Sequence, residues 1–228
     1  MEDDSKKKYF NSPILLLKDF LIDDKKCLNN ILDYAMYDYC VKYDTDDVKR
    51  AARFFGVSLG NEDRTFYNGN ELYDSLPEGL PKVGISKEIF FDYYQNEKSE
   101  FQKVTLLAFL AIKSVLQNKS YCKLDNNYLF ARMEGKSHSI KKDSELSKKL
   151  VKYKNEYQSV KIKNELILNW GLIHYSYYTR GFYVSFKMSL EDLIFEVEKK
   201  KKSNKLKQQK DKEKAARLAA VQRLNKSM

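Results

Sequence analysis

With 228 residues, 43% of them apolar, the chain can bury a sizeable core, which excludes disorder throughout, and it has no apolar run of about 18 residues that could span a membrane. The net charge of +10 is unevenly placed: twelve Lys/Arg against two acids lie between residues 199 and 228, while residues 1–100 carry fourteen bases against twenty acids and residues 101–198 sixteen against ten. An acidic half, a basic half and a very basic tail point to a polyanionic partner met by the second half only.

The start, MEDDSKKKYF, places acids before its lysines and has no apolar segment of the secretory type, so a cytoplasmic location is expected. Cys27, Cys40 and Cys122 are odd in number and widely spaced, the pattern of reduced core thiols. His138 and His174 have no paired cysteines near them, and no metal or other cofactor is expected.

The first elements are short helices. Leu28, Ile31, Leu32, Ala35, Met36 and Tyr39 have the i, i+3, i+4 spacing of an amphipathic helix, and a second helix runs from Val48 to Phe55 and stops at Gly56. The surrounding stretch, VKRAARFFGVSLGN, is read as an ordinary core helix ended by glycine, because Glu62 and Thr65 stand where a helix-turn-helix needs apolar residues. Residues 67–83 hold two of the three prolines and two of the eight glycines, and are expected to form a boundary or long connection. Ser86 opens a short helix with Ile89, Phe90 and Tyr93 on one side. FQKVTLLAFLAIKSVLQ, residues 101–117, is apolar nearly all round and is expected to be a central buried helix.

Asp125 or Asn126 can cap the next helix, which ends at Gly135, and residues 136–144 are a loop by composition. Residues 145–170 lack Gly and Pro and form one or two helices. In the last of these Val160, Ile162, Leu166, Ile167 and Trp170 are expected to share one broad inner face, with Lys161, Asn164, Glu165, Leu168 and Asn169 outward. Gly171 ends it. Residues 172–178 and 182–187 are β-branched and aromatic, the composition of two strands around the turn Thr179-Arg180-Gly181. Ser189-Leu190-Glu191-Asp192 is a capping-box pattern, opening a helix with Leu190, Leu193, Ile194 and Val197. The resulting fold class is mainly α with a small antiparallel β-hairpin. It divides into an acidic helical region, residues 1–84, a second domain, residues 85–198, and a basic tail, residues 199–228.

A buried helix, a capped helix, a further helix ending at Trp170-Gly171 and a hairpin with Arg180-Gly181 at its tip together resemble the winged helix-turn-helix superfamily, over about residues 98–195. The resemblance implies that residues 159–170 are a recognition helix entering the major groove of double-stranded DNA, and residues 178–182 the tip of a wing touching phosphates or the minor groove. Lys154, Gln158, Lys161, Asn164, Arg180 and Lys187 are then the DNA-binding residues of the domain, and Lys199, Lys200, Lys201 and Lys202 those at the root of the tail. Lysine neutralises phosphate and asparagine can bond adenine in two places, so these residue types suit that role. The spacing departs from the usual pattern: about twenty-five residues separate the two helices where three or four are normal. Either residues 145–153 are the true second helix, or the unit is atypical.

No phosphate-cradling glycine loop or nucleophile elbow occurs among the eight glycines, so a non-enzymatic role is expected. By analogy with the fold, it lies in the replication or transcription of a phage or mobile element. The alternative is a protein-interaction or structural module whose basic tail binds an acidic partner, and a third is single-strand or RNA binding through exposed tyrosines. The acidic first half is expected to face away from DNA and to hold a protein partner or a second copy.

Overall fold

The computed structural model describes residues 9–23, 28–176 and 181–226. A strand, β1 (Tyr9–Pro13), leads into α1 (Ile14–Lys18), which widens into a π turn over Asp19–Asp23, and α2 (Leu28–Tyr43) and α3 (Val48–Phe55) follow. The start and stop of α3 are chemically marked. The Asp47 carboxylate accepts from the Arg50 N–H, and Gly56 adopts the left-handed conformation that glycine reaches without a Cβ clash. Its inward residues Val48, Ala51, Ala52 and Phe55 are buried, as an ordinary core helix requires.

The stretch expected to be a long connection is mostly helix. α4 (Glu62–Ser75) runs through Asn68-Gly69-Asn70, and only residues 76–81 form a loop before β2 (Lys82–Ser86). Gly69 is tolerated mid-helix because α4 lies so close to α2: a Cβ there would stand 2.5 Å from the Asp33 carbonyl oxygen. Neighbouring Asn68 donates to the buried Asp33 carboxylate at 3.1 Å. β2 pairs antiparallel with β1, Tyr9 opposite Ser86 and Pro13 opposite Lys82, across the position where the acidic region was expected to end.

Ser86 caps α5 (Lys87–Gln95), and Ser99 with Gln102 forms a reciprocal capping box at the start of α6 (Glu100–Leu116). α6 is the central helix. Val104, Leu106, Leu107, Leu110, Ala111 and Ile112 are buried, and it packs on α1, the π turn and β2 on one side and on α7 and α9 on the other. The core is therefore continuous from Phe10 to Val184. On the amino-terminal side it is aromatic: Phe10 meets Phe55 at 5.2 Å and Phe90 at 5.1 Å, and Phe20 meets Phe90 at 5.1 Å between ring centroids.

After α6 come β3 (Cys122–Leu124), α7 (Asn126–Met133), a 3-10 turn (Asp143–Glu145), α8 (Lys148–Val151) and α9 (Glu156–Trp170). They are followed by β4 (Ile173–Tyr175), β5 (Phe182–Ser185) and the long helix α10 (Leu190–Lys226). The expected hairpin is thus present and gains a third strand: the order is β3-β5-β4, all antiparallel, with β5 in the middle. The molecule is mainly helical with two small antiparallel sheets, and no described helix is long and apolar enough to cross a membrane.

Lys18 ties the halves together. Its ammonium lies 2.9 Å from a Glu134 oxygen, with both side chains close to nine-tenths covered, and Asp19 and Asp23 stand at 3.5 and 3.7 Å. The other Glu134 oxygen accepts from the Ser147 N–H at 2.9 Å, which folds the connection between α7 and α8 back onto the core.

Candidate nucleic-acid interface

α9 begins where the Asn155 side chain accepts from the Gln158 N–H, and ends at Gly171, which is left-handed at φ 67°. Its inner face is Ser159, Ile162 and Leu166, all buried, continued by Trp170, whose ring lies 4.7 Å from that of Phe109 on α6. This corrects the expected facing. Val160 and Ile167 point outward at 45% and 41% exposure, beside Tyr157 at 73% and Leu168 at 78%. The cause is Ser159. Its hydroxyl donates to the Glu156 carbonyl at 2.9 Å and receives Asn126 Nδ2 at 3.4 Å, so a small polar residue occupies the inner position and turns its branched neighbour to solvent.

The outward strip therefore reads Tyr157, Val160, Lys161, Asn164, Ile167 and Leu168. Lys161 is exposed, with Nζ 4.6 Å over the Phe101 ring, and Asn164 is exposed as well. Glu165 sits off this strip, where its carboxylate accepts from Asn169 at 2.7 Å. Gln158 lies on the same flank, roughly 100° from Tyr157 around the helix.

The three-stranded sheet sets what lies beside that strip. Lys123, Tyr183 and Tyr175 are register partners and share one face. α10 covers it: Leu193 and Val197 are fully buried, Tyr175 Oη donates to Glu198 at 3.4 Å, and Lys201 Nζ stands 5.8 Å from the Tyr175 ring and 6.0 Å from that of Tyr183. Tyr175 and Tyr183 are thus roofed by a helix, which does not fit the expectation of freely exposed stacking tyrosines. Tyr177 and Tyr178 lie outside the described residues. Cys122, Leu124, Phe182 and Val184 face the core. His174 faces it too, and burial followed by the nearby Lys163 charge pulls its pKa below the usual imidazole value.

Side-chain contacts fix which end of this domain is which. Leu124 pairs with Phe182 at the hairpin end, and Gly181 is held there at φ 101°, where any Cβ would strike the Leu124 carbonyl at 2.4 Å. Lys163 Nζ lies 4.8 Å over the Phe182 ring and 3.4 Å from Asn126 Oδ1, at the first turn of α7. The amino-terminal half of α9 therefore stands at the hairpin end with Lys163, and Lys123 and Lys201 stand at the same end on the opposite face of the sheet, beside Tyr183. Burial lowers the pKa of Lys163, which has only a partial opposing contribution from Glu156.

Of the residues singled out from the sequence, Lys161 and Asn164 are displayed together, and Lys199, Lys200 and Lys202 are exposed on α10. Lys199 and Lys201 each have a carboxylate one turn back, Glu196 at 3.7 Å and Glu198 at 2.7 Å. Two do not join the group. Lys154 is turned onto Asp143, with its side chain 16% exposed, and Lys187 follows β5 at the far end of the sheet, where Ser185 pairs with Ile173. Its charge acts there on Lys113. Arg180 lies outside the described residues. Lys123 and Lys163 were missed. Lys123 belongs to a strand of three residues, too short to show alternation, and Lys163 was read only as part of a helix.

α7 meets the start of α9 directly through Asn126, across a folded connection of residues 134–155, and α8 is a four-residue turn of helix within it. The two helices are thus in contact across a link far longer than three or four residues. No protein-family model matches the chain, and comparison with curated proteins and with solved structures gives no match either.

Proposed function

We propose that the protein binds duplex DNA without acting on it chemically, in the manner of a winged helix, and does so in the cytoplasm. The observation that carries this reading is that α9 leaves one face uncovered, while at the end of the sheet where β5 begins Lys163 stands on one face and Lys123 and Lys201 on the other. A helix standing beside a hairpin with cations around both presents side chains to a groove and charge to its phosphate rims. Lys161 is the phosphate or guanine contact and Asn164 the adenine contact. Val160, Ile167 and Leu168 are apolar, and in a major groove such side chains meet thymine methyl groups. The acidic first half stays away from the duplex.

One observation favours a second reading. Four of the six residues in the outward strip are apolar or aromatic, a composition that also suits docking of a protein partner.

Binding of labelled duplex across a salt series separates the two. On the DNA reading log K falls by about 0.9 per phosphate contact for each tenfold rise in salt, and Lys161→Gln reduces the slope by about 1 on any sequence. Asn164→Ala leaves the slope in place and costs about 1–3 kcal/mol on the preferred site only. Absent or salt-independent binding, with Leu168→Glu abolishing capture of a protein partner, establishes the docking module instead.

A further inference from the structure

α10 is longer than its packing requires. Ser189 caps it at the far end of the sheet, just after Ser185 Oγ has accepted from the Lys187 and Met188 N–H groups, so the helix starts opposite the hairpin. It then runs antiparallel to β5. By Glu198 and Lys201 it has reached the paired residues Tyr175, the last of β4, and Tyr183, the second of β5. Burial stops there: residues 202–215 are exposed without exception, yet the helix continues to Lys226. At 1.5 Å per residue, residues 203–226 reach about 36 Å past the sheet, beyond the end at which β4 stops and β5 begins.

The chemistry of that extension is specific. Residues 203–226 hold eight Lys/Arg and two acids, Asp211 and Glu213. Lys207, Lys210 and Lys214 fall within one narrow arc at about 100° per residue, and Lys205 and Lys212 share another. Leu206 is the single large apolar side chain between Lys202 and Ala215, and it is exposed. Over residues 203–214 the helix is polar nearly all round, Leu206 aside, and its stacked like charges repel one another along that stretch; a polyanion lying along it removes the repulsion.

We infer that α10 beyond Lys202 is a second DNA-contacting element, which lies along the phosphate backbone past the hairpin and lengthens the bound duplex by about 11 base pairs at 3.4 Å each. This rests on the DNA reading above. A second copy of the chain is the poorer occupant. Several acids of the leading half already hold cations of their own, with Lys49 on Glu62, Arg53 on Asp47, Lys82 on Asp38 and Lys98 on Asp92. Duplex DNA instead offers one phosphate charge per about 1.7 Å, and lysines that pair with it release condensed counterions.

The test compares the full chain with a full-length variant carrying Lys205→Gln, Lys207→Gln, Lys210→Gln, Lys212→Gln and Lys214→Gln, all at exposed positions. Both are titrated onto labelled duplexes of about 12 and about 26 base pairs from about 50 to 200 mM salt. With two or three of the five lysines on phosphate, the wild type has a slope steeper by about 1.8–2.7 on the long duplex, and over that range loses about 12- to 40-fold more affinity than the variant. On the short duplex the two proteins differ much less. Equal slopes and equal length dependence overturn the inference and leave the DNA reading standing. Binding by neither protein overturns both. Salt-sensitive self-association of the wild type on sedimentation, lost in the variant while the DNA slopes coincide, overturns it in favour of a second copy.

Discussion

Lys18→Ala removes the cation that joins α1 to α7, and its effect can be worked from the geometry. In the wild type burial pulls the Lys18 pKa down, but the Glu134 hydrogen bond and the charges of Glu134, Asp19 and Asp23 outweigh it and leave the value raised. Burial likewise opposes the charged form of Glu134, and the Ser147 N–H together with Lys18 holds its pKa below the usual carboxylate value. The signs follow. Glu134 contributes stability above its unfolded value of about 4.3, lost as pH falls through the lower folded value, and Lys18 contributes below about 10.4, lost as pH rises through its raised folded value. Neutral pH is on the plateau of both. The substitution leaves a carboxylate 11% exposed, with Asp19 and Asp23 beside it and the Ser147 N–H its remaining donor. Uncompensated buried charge of this kind costs about 3 kcal/mol or somewhat more, and for a chain of this size each kcal/mol lowers Tm by about 2–4 °C, so a fall of about 6–12 °C is expected. Urea unfolding at about pH 7 and about pH 4.5 measures it. The deficit shrinks at the lower pH, because Glu134 without Lys18 is dominated by burial and takes up its proton. Replacing both partners, Lys18→Met with Glu134→Leu, costs less than Lys18→Ala alone. A deficit below about 1 kcal/mol at neutral pH that does not change on acidification refutes the claim that this pair latches the two halves.

Three further outcomes are expected. Gly69→Ala destabilises by about 1–3 kcal/mol in denaturant titration despite the better helix propensity of alanine, since the new methyl meets the Asp33 carbonyl and Tyr37; a gain in stability would refute the close approach of α2 and α4. Gly171→Ala, where a Cβ meets no neighbour, costs about 1–2 kcal/mol from its left-handed backbone alone, measured the same way, and leaves the fold unchanged by circular dichroism. His174 is held neutral by burial, so stability is full above its unfolded pKa of about 6.5 and declines as pH falls below it toward the depressed folded value; His174→Gln removes that part of the pH dependence, checked by Tm against pH.

Much of the molecule was legible because its signals are local. Asp47, Ser86, Ser99, Asp125 and Asn155 each accept the N–H three residues on, and Gly56 and Gly171 close α3 and α9 in the left-handed conformation, all chemistry readable within one turn of helix. The fully apolar stretch of α6 could only be central. The site was legible in part: the helix, the hairpin and its glycine were foreseen, and Gly181 is where Leu124 leaves no room for a Cβ. The facing of α9 was not. Val160 and Ile167 are as apolar as Ile162 and Leu166, and hydrophobicity alone cannot show that a serine takes the inner place.

By itself the sequence determined most of the helical segments, though neither α1 nor α4, and where several of them begin or end, that a hairpin follows Trp170, and that positive charge collects after residue 100. Tertiary structure alone decided that β1 pairs with β2 and β3 with β5, since strands of three to five residues show little period and their partners lie far along the chain. It decided that Lys154 spends its charge on Asp143 and Lys187 sits at the wrong end of the sheet, while Lys123 and Lys163 stand beside the hairpin. The reason is common to all of these. A helix cap or a turn glycine is satisfied by its own neighbours, whereas strand pairing, burial and charge pairing are settled only when distant surfaces compete for the same contacts.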